Sequence, residues 1–187
     1  MSGGSSDDAV LAISHLDAAR GVVVLDVLMS QTGVPPFNPR DAVRKFAAEL
    51  KAWGLTRVTD DAYAGQTFRR DFEDLGITYS MSARTKSEIY DSFEPKLNAG
   101  EVELLDDGKL QEQLLTLVIR GSKIDHLPGD HDDSANAACG ALVLASAPQP
   151  QVIITPPQYF GQRSSFSSFG NSISAGIDAW SNSGRFS

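Results

Sequence analysis

Apolar positions between residues 9 and 145 follow two alternating periods. Residues 9–14, Ala-Val-Leu-Ala-Ile-Ser, form a short apolar run that predicts a strand. A turn over residues 17–21 separates it from residues 22–29, which are β-branched and almost continuously apolar. That pattern suits a central strand covered on both faces. Pro35, Pro36 and Pro39 then break the chain. Asn38 has the character of an N-cap, Pro39 that of a first helical residue, and Asp41 lies three residues after the cap. Ala42, Val43, Phe46, Ala47 and Leu50 share one helical face, and Gly54 ends the helix. Residues 56–59 predict a short strand leading into Asp60-Asp61. A helix is expected over 66–75, stopped by Gly76, and a strand over 77–80. Thr85 and Glu88 form a capping-box pattern opening a helix with Ile89, Phe93 and Leu97 on one side, which Pro95 is expected to kink or divide. Residues 101–105 suit a strand or an extended connector, and Leu110, Leu114 and Leu117 recur at helical spacing. Residues 121–129 read as a loop, and 133–144 as a helix whose small residues permit close packing. Strands alternating with helices imply an α/β fold with a largely parallel sheet.

The pattern stops near Ala145. Beyond it the only charged residues are Arg163, Asp178 and Arg185, and Ser, Gly, Gln and Pro dominate. Such a stretch buries too little apolar area to offset its ordering entropy. The expected organisation is one domain over 1–145 and a flexible tail over 146–187, serving as a docking peptide or as plain low-complexity sequence. At 187 residues and 41% hydrophobic, the chain can build a real core, which excludes a wholly disordered protein. No apolar run approaches the roughly 20 residues needed to cross a bilayer. The first residues have neither the basic nor the apolar segment of a signal peptide. The single cysteine, Cys139, excludes an internal disulfide and fits a reducing compartment. Sixteen Lys and Arg against 24 Asp and Glu give a formal net charge of −8. That argues against a passive nucleic-acid binder, which is normally basic, but not against an enzyme that holds cations between carboxylates.

Several common chemistries lack their motifs. There is no Gly-x-x-x-x-Gly-Lys-Ser/Thr phosphate loop and no Gly-x-Ser-x-Gly elbow. Cys139 sits in an alanine-rich helix without an evident basic partner, and His126, His131 and Cys139 do not match paired zinc spacing. Carboxylates, in contrast, gather where loops leave secondary structure: Asp7-Asp8, Asp60-Asp61, and Asp130, Asp132 and Asp133. A lone Asp at a helix start, such as Asp133, is ordinarily a cap or a dipole partner. The set as a whole suits hard divalent cations, which need several oxygens together and can drive phosphodiester cleavage as a pair about 4 Å apart.

Three stretches resemble the C-terminal nuclease domain of phage terminase large subunits, which cut and package viral DNA. They are Asp61-Ala62-Tyr63-Ala64-Gly65; Lys86-Ser87-Glu88-Ile89-Tyr90 with Leu97-Asn98-Ala99-Gly100 and Val102-Glu103-Leu104-Leu105; and Ile124-Asp125-His126, Pro128-Gly129, His131-Asp132-Asp133, Ala135-Asn136-Ala137. The opening Ser2-Gly3-Gly4-Ser5-Ser6-Asp7-Asp8 is similar to the segment just after that family's first catalytic aspartate. The resemblance spans about residues 1–145 in the right order. It implies a ribonuclease-H-like mixed sheet flanked by helices and a pair of Mg²⁺ or Mn²⁺ ions. It implies double-stranded DNA as substrate, the small terminase subunit and portal protein as partners, no membrane, and the host cytoplasm as location. Asp61 is then the strand-end metal ligand, and one or both of Asp132 and Asp133 ligate metal. Asp7 or Asp8 supplies an auxiliary contact or an N-cap, Lys86 contacts phosphate or is simply solvated, His131 orients a carboxylate, and Tyr63 and Phe68 pack. In the family, the central strand and its aspartate precede the Ser-Gly-Gly stretch. Met1 stands at that place here, so the expected sheet lacks its first central strand and the first catalytic aspartate. Three functions are compatible with these features: a metal-dependent endonuclease; an inactive truncated remnant or non-catalytic DNA- or partner-binding module; and a resolvase- or transposase-type phosphotransferase.

Overall fold

The computed structural model describes residues 8–31, 38–60, 65–121 and 123–147. Its first two elements form an antiparallel hairpin, β1 (Val10–Asp17) with β2 (Val22–Ser30). Asp17 closes the turn by accepting from the Ala19 and Arg20 amides at 3.0 and 3.2 Å, and Gly21 takes the positive φ of 68° that the turn requires. The ladder pairs Ile13 with Val27 but Ser14 with Leu25, so Asp26 is an extra, unpaired residue. This bulge switches the parity of β2. Val23 and Leu25 face one apolar cluster, whereas Val27 and Met29 face the other.

Helix α1 (Pro39–Ala52) starts as its sequence predicts, with the Asn38 side chain accepting from the Arg40 amide at 3.1 Å and Pro39 at the first turn. Next come β3 (Arg57–Asp60), α2 (Gly65–Asp74) and β4 (Thr78–Met81), with β3 and β4 parallel. The Thr85–Glu88 capping box is fully formed at the start of α3 (Lys86–Asn98). A two-residue strand, β5 (Val102–Glu103), pairs parallel to β2. The chain continues through α4 (Gly108–Leu115), β6 (Val118–Arg120), β7 (Lys123–Asp125) and α5 (Asp133–Ala145).

Three expectations need correction. The sheet is mixed rather than largely parallel: the eight-pair β1–β2 ladder and the β6–β7 hairpin are antiparallel. Pro95 does not divide α3, because it lies on the exposed side of the last turns, where water can satisfy the carbonyl it leaves unbonded. Residues 121–129 are not all loop, since β7 pairs back onto β6 around Gly121.

Two apolar clusters cover the β1–β2 pair. On one face, Ala9, Leu11 and Ile13 pack with Val43, Phe46 and Leu50 of α1, Phe68 and Phe72 of α2, and Tyr79 of β4. On the other, Val23 and Leu25 pack with Ile89 and Phe93 of α3, Leu110 of α4, and Cys139 and Leu142 of α5. The fold is therefore mixed α/β, with strands between helical layers. Among the described residues the strands form separate ladders, β1-β2-β5, β3-β4 and β6-β7. The first two ladders share a cluster, and no described strand hydrogen-bonds them to each other.

Candidate active site

Four described acids, Asp8, Asp125, Asp132 and Asp133, are linked around the start of α5. Asp132 occupies its N-cap position and is buried, yet its side chain makes no capping bond. It turns instead toward α3. The Lys86 ammonium lies 2.6 Å from Asp132 Oδ2, and the Tyr90 hydroxyl donates to the same oxygen at 3.0 Å. Thr85 fixes the start of α3, which puts Lys86 and Tyr90 one helical turn apart on one face. Lys86 also lies 2.6 Å from Asp125 Oδ1, at the end of β7. Ser87 helps hold that strand end, its hydroxyl accepting from the Ile124 amide at 3.0 Å. Burial disfavours the Lys86 ammonium, but its bonds to Asp125 and Asp132 outweigh burial and raise its pKa above the ordinary value. The same lysine holds the Asp125 carboxyl below the usual range. Burial, with the Asp132 charge, pushes the Tyr90 phenol upward, so it stays a donor.

His126 joins this group. Its Nδ1 donates to the Leu127 carbonyl at 2.9 Å, which leaves Nε2 as the lone-pair nitrogen of the neutral ring. Nε2 lies 3.7 Å from Asp125 and 4.0 Å from Asp132.

Asp133, one residue on, faces the other way. Its carboxylate accepts from the Asp8 amide at 3.2 Å, where the chain enters β1. Asp8 is itself anchored, accepting from Lys109 Nζ at 2.6 Å and Gln31 Nε2 at 2.9 Å. Gln31 closes the clasp by accepting from the Ala9 amide. The Lys109 hydrogen bond and charge, with the Gln31 hydrogen bond, lower the Asp8 pKa against the opposing effect of burial.

One donor set could hold a cation in the geometry shown. One ligand atom each from Asp125, His126 and Asp132 lie within 4.8 Å of one another. Two carboxylates and an imidazole suit Mn²⁺ or Zn²⁺ better than Mg²⁺, which prefers oxygen. However, the Lys86 ammonium already bridges both carboxylates, so this set fits a divalent ion only if the lysine withdraws. Asp133 meets the Asp8 backbone amide, while the Asp8 carboxylate is occupied by Lys109 and Gln31.

The structure thus brings Asp132, Asp133 and Lys86 to one helix start, although the two aspartates serve different neighbours. Asp61, Asp7 and Tyr63 lie outside the described residues. Asp60, just before Asp61, accepts from the Tyr79 hydroxyl at 2.6 Å. Phe68 is buried in the core, as a packing residue should be. Sequence reasoning gave no role to Asp125, Tyr90 or Lys109 and weighed His126 only for zinc. The i, i+4 spacing puts Tyr90 on the Lys86 face, but nothing local in the sequence pairs that face with Asp125 or Asp132.

No family model matches the chain, and no curated protein does. Among solved structures it is similar to the large terminase nuclease from thermophilic phage G20c. The two share 17% identity with a TM-score of 0.55, over 74% of this chain and 82% of that one. At this identity the likeness is one of fold, and it agrees with the ribonuclease-H-like mixed α/β architecture expected from the sequence.

Proposed function

We propose that the chain is the nuclease module of a phage DNA-packaging terminase, hydrolysing DNA phosphodiesters with Mg²⁺ or Mn²⁺. The observation that carries this reading is the convergence of Asp8, Asp132 and Asp133 at the start of α5, in a fold similar to that of a large terminase nuclease. Asp133 and Asp61 would hold the metal, with Asp7 and Asp132 as the remaining acids. When bound, such ions activate water and stabilise the leaving oxygen. The protein's own part is to fix the carboxylates. Lys86 and Tyr90 hold Asp132, while Lys109 and Gln31 hold Asp8 beside Asp133. The reading carries with it double-stranded DNA as substrate, the small subunit and portal as partners, and the host cytoplasm as location. Residues 146–187 form the appended tail in the same reading. No described helix is long and apolar enough to cross a membrane.

Cleavage of supercoiled plasmid tests it. The expected result is nicking with Mn²⁺ that EDTA abolishes and that Asp133→Ala and Asp61→Ala each reduce by more than about a hundredfold. A folded chain that leaves plasmid intact at every metal concentration overturns the enzymatic reading. A second reading, a non-catalytic DNA- or partner-binding module, is favoured by Lys86, which already supplies the positive charge between Asp125 and Asp132. It requires DNA or partner binding that survives both Asp61→Ala and Asp132→Ala.

A further inference from the structure

An aspartate at an N-cap position ordinarily spends its carboxylate on the backbone amides of the second and third helical residues. Asp132 stands at that position and does not. The two amides are satisfied from another helix. Gln113 of α4 accepts through Oε1 from the Ser134 amide at 2.9 Å and the Ala135 amide at 3.0 Å. All three residues are buried, Gln113 to 5% exposure, so water cannot readily replace that oxygen. One side-chain carbonyl therefore does what the N-cap residue would otherwise do.

We propose that Gln113 is a positioning residue of the acidic site: by capping α5 from α4 it releases the Asp132 carboxylate to Lys86 and Tyr90 and fixes the turn from which Asp133 faces Asp8. Its role in the site rests on the nuclease reading above; the exchange of caps does not. Without the Gln113 oxygen, two buried amides need an acceptor, and the closest in sequence is the Asp132 carboxylate. Recruiting it takes a partner from Lys86 and Tyr90 and rotates the Asp132–Asp133 turn. Gln113 has no chemical role of its own to compete with this one, since it is uncharged and buried and its carbonyl points at backbone.

The test uses the full chain with Gln113→Met, which keeps bulk but removes the acceptor, and Gln113→Glu, which keeps an acceptor oxygen at a helix N-terminus. In folded Gln113→Met, acylation of Lys86, read by mass spectrometry against exposed Lys51, should rise several-fold. Mn²⁺-dependent nicking should fall about tenfold in kcat with little change in KM for DNA, and Gln113→Glu should restore both. A folded Gln113→Met chain with wild-type Lys86 labelling overturns the proposal. So does faster labelling with wild-type nicking while Asp133→Ala is inactive. If the wild type never nicks, the nuclease reading fails, and labelling still decides the exchange of caps. Asp132→Asn covers the case in which Gln113→Met does not fold. Ser134 and Ala135 amide exchange should then stay within about twofold of wild type, whereas a rise of about fivefold, the loss of an ordinary cap, overturns the proposal.

Discussion

Lys86 decides the electrostatics of the acidic turn, because it places one ammonium between two carboxylates, one of them buried. Removing it leaves Asp132 with only the Tyr90 hydroxyl among these partners. Since Lys86 is itself part-exposed, Lys86→Met should cost about 2 kcal/mol, below the range for fully buried pairs. In a urea-melt cycle with Asp132→Asn, the double variant should lose clearly less than the two singles combined. Additive losses would show that the bridge carries no coupling. Acid stability follows from Asp8 and Asp125, both held below the ordinary carboxylate value by lysines. Unfolded, each takes up its proton at about pH 3.9; folded, only at lower pH. Their contribution is therefore complete above about pH 4 and is lost as pH falls through the depressed values. Lys86 acts at the alkaline end. Its folded value is raised, so its contribution is complete below about pH 10.4 and is lost as pH rises through the raised value. Urea midpoints between about pH 2 and 5 should fall steeply for the wild type and less steeply for Lys109→Met. Parallel curves would remove the Asp8–Lys109 pair as a source. Little of this was legible in the sequence. Asp125 lies 39 residues from Lys86, and no local pattern reports a pairing at that separation.

Elements whose causes are local were legible. Asn38-Pro39 and the Thr85–Glu88 box are read directly from adjacent residues, and both caps form. Thr85→Ala should lower stability by about 1 kcal/mol, measurable as a shifted urea midpoint with unchanged slope. The bulge at Asp26 was not legible, because an apolar run looks the same whether its parity holds or switches. Deleting Asp26 would make Leu25 and Val27 consecutive, and consecutive strand residues face opposite sides, so Val23 and Leu25 would still serve one cluster and Val27 and Met29 the other. The deletion should therefore still unfold cooperatively, and Asp26→Ala, which keeps the spacing and loses only the 2.8 Å contact with His15, should cost no more than about 1 kcal/mol. Loss of the cooperative melt on deletion would show that Asp26 is not the extra residue of the ladder. The β6–β7 hairpin escaped prediction for a simpler reason: strands of three residues are too short to display alternation.

At the scale of the whole molecule, the resemblance seen in ordered motifs and the likeness of fold agree, and the divided sheet sets how the molecule should open. Among the described residues β1 pairs with β2 alone. Its amides that point away from β2 should therefore exchange with solvent much faster than those that point toward it. Equal protection along β1 would mean that another segment pairs there. Both helical layers press on this hairpin, but only the layer of α3, α4 and α5 contains Cys139, which is fully buried and whose thiol is pushed upward by burial. That gives the molecule a native stopwatch. As the sole sulfhydryl of the chain, it can react with a disulfide reagent only when this layer comes apart, so the colour released over time counts openings of one half of the protein without any introduced label.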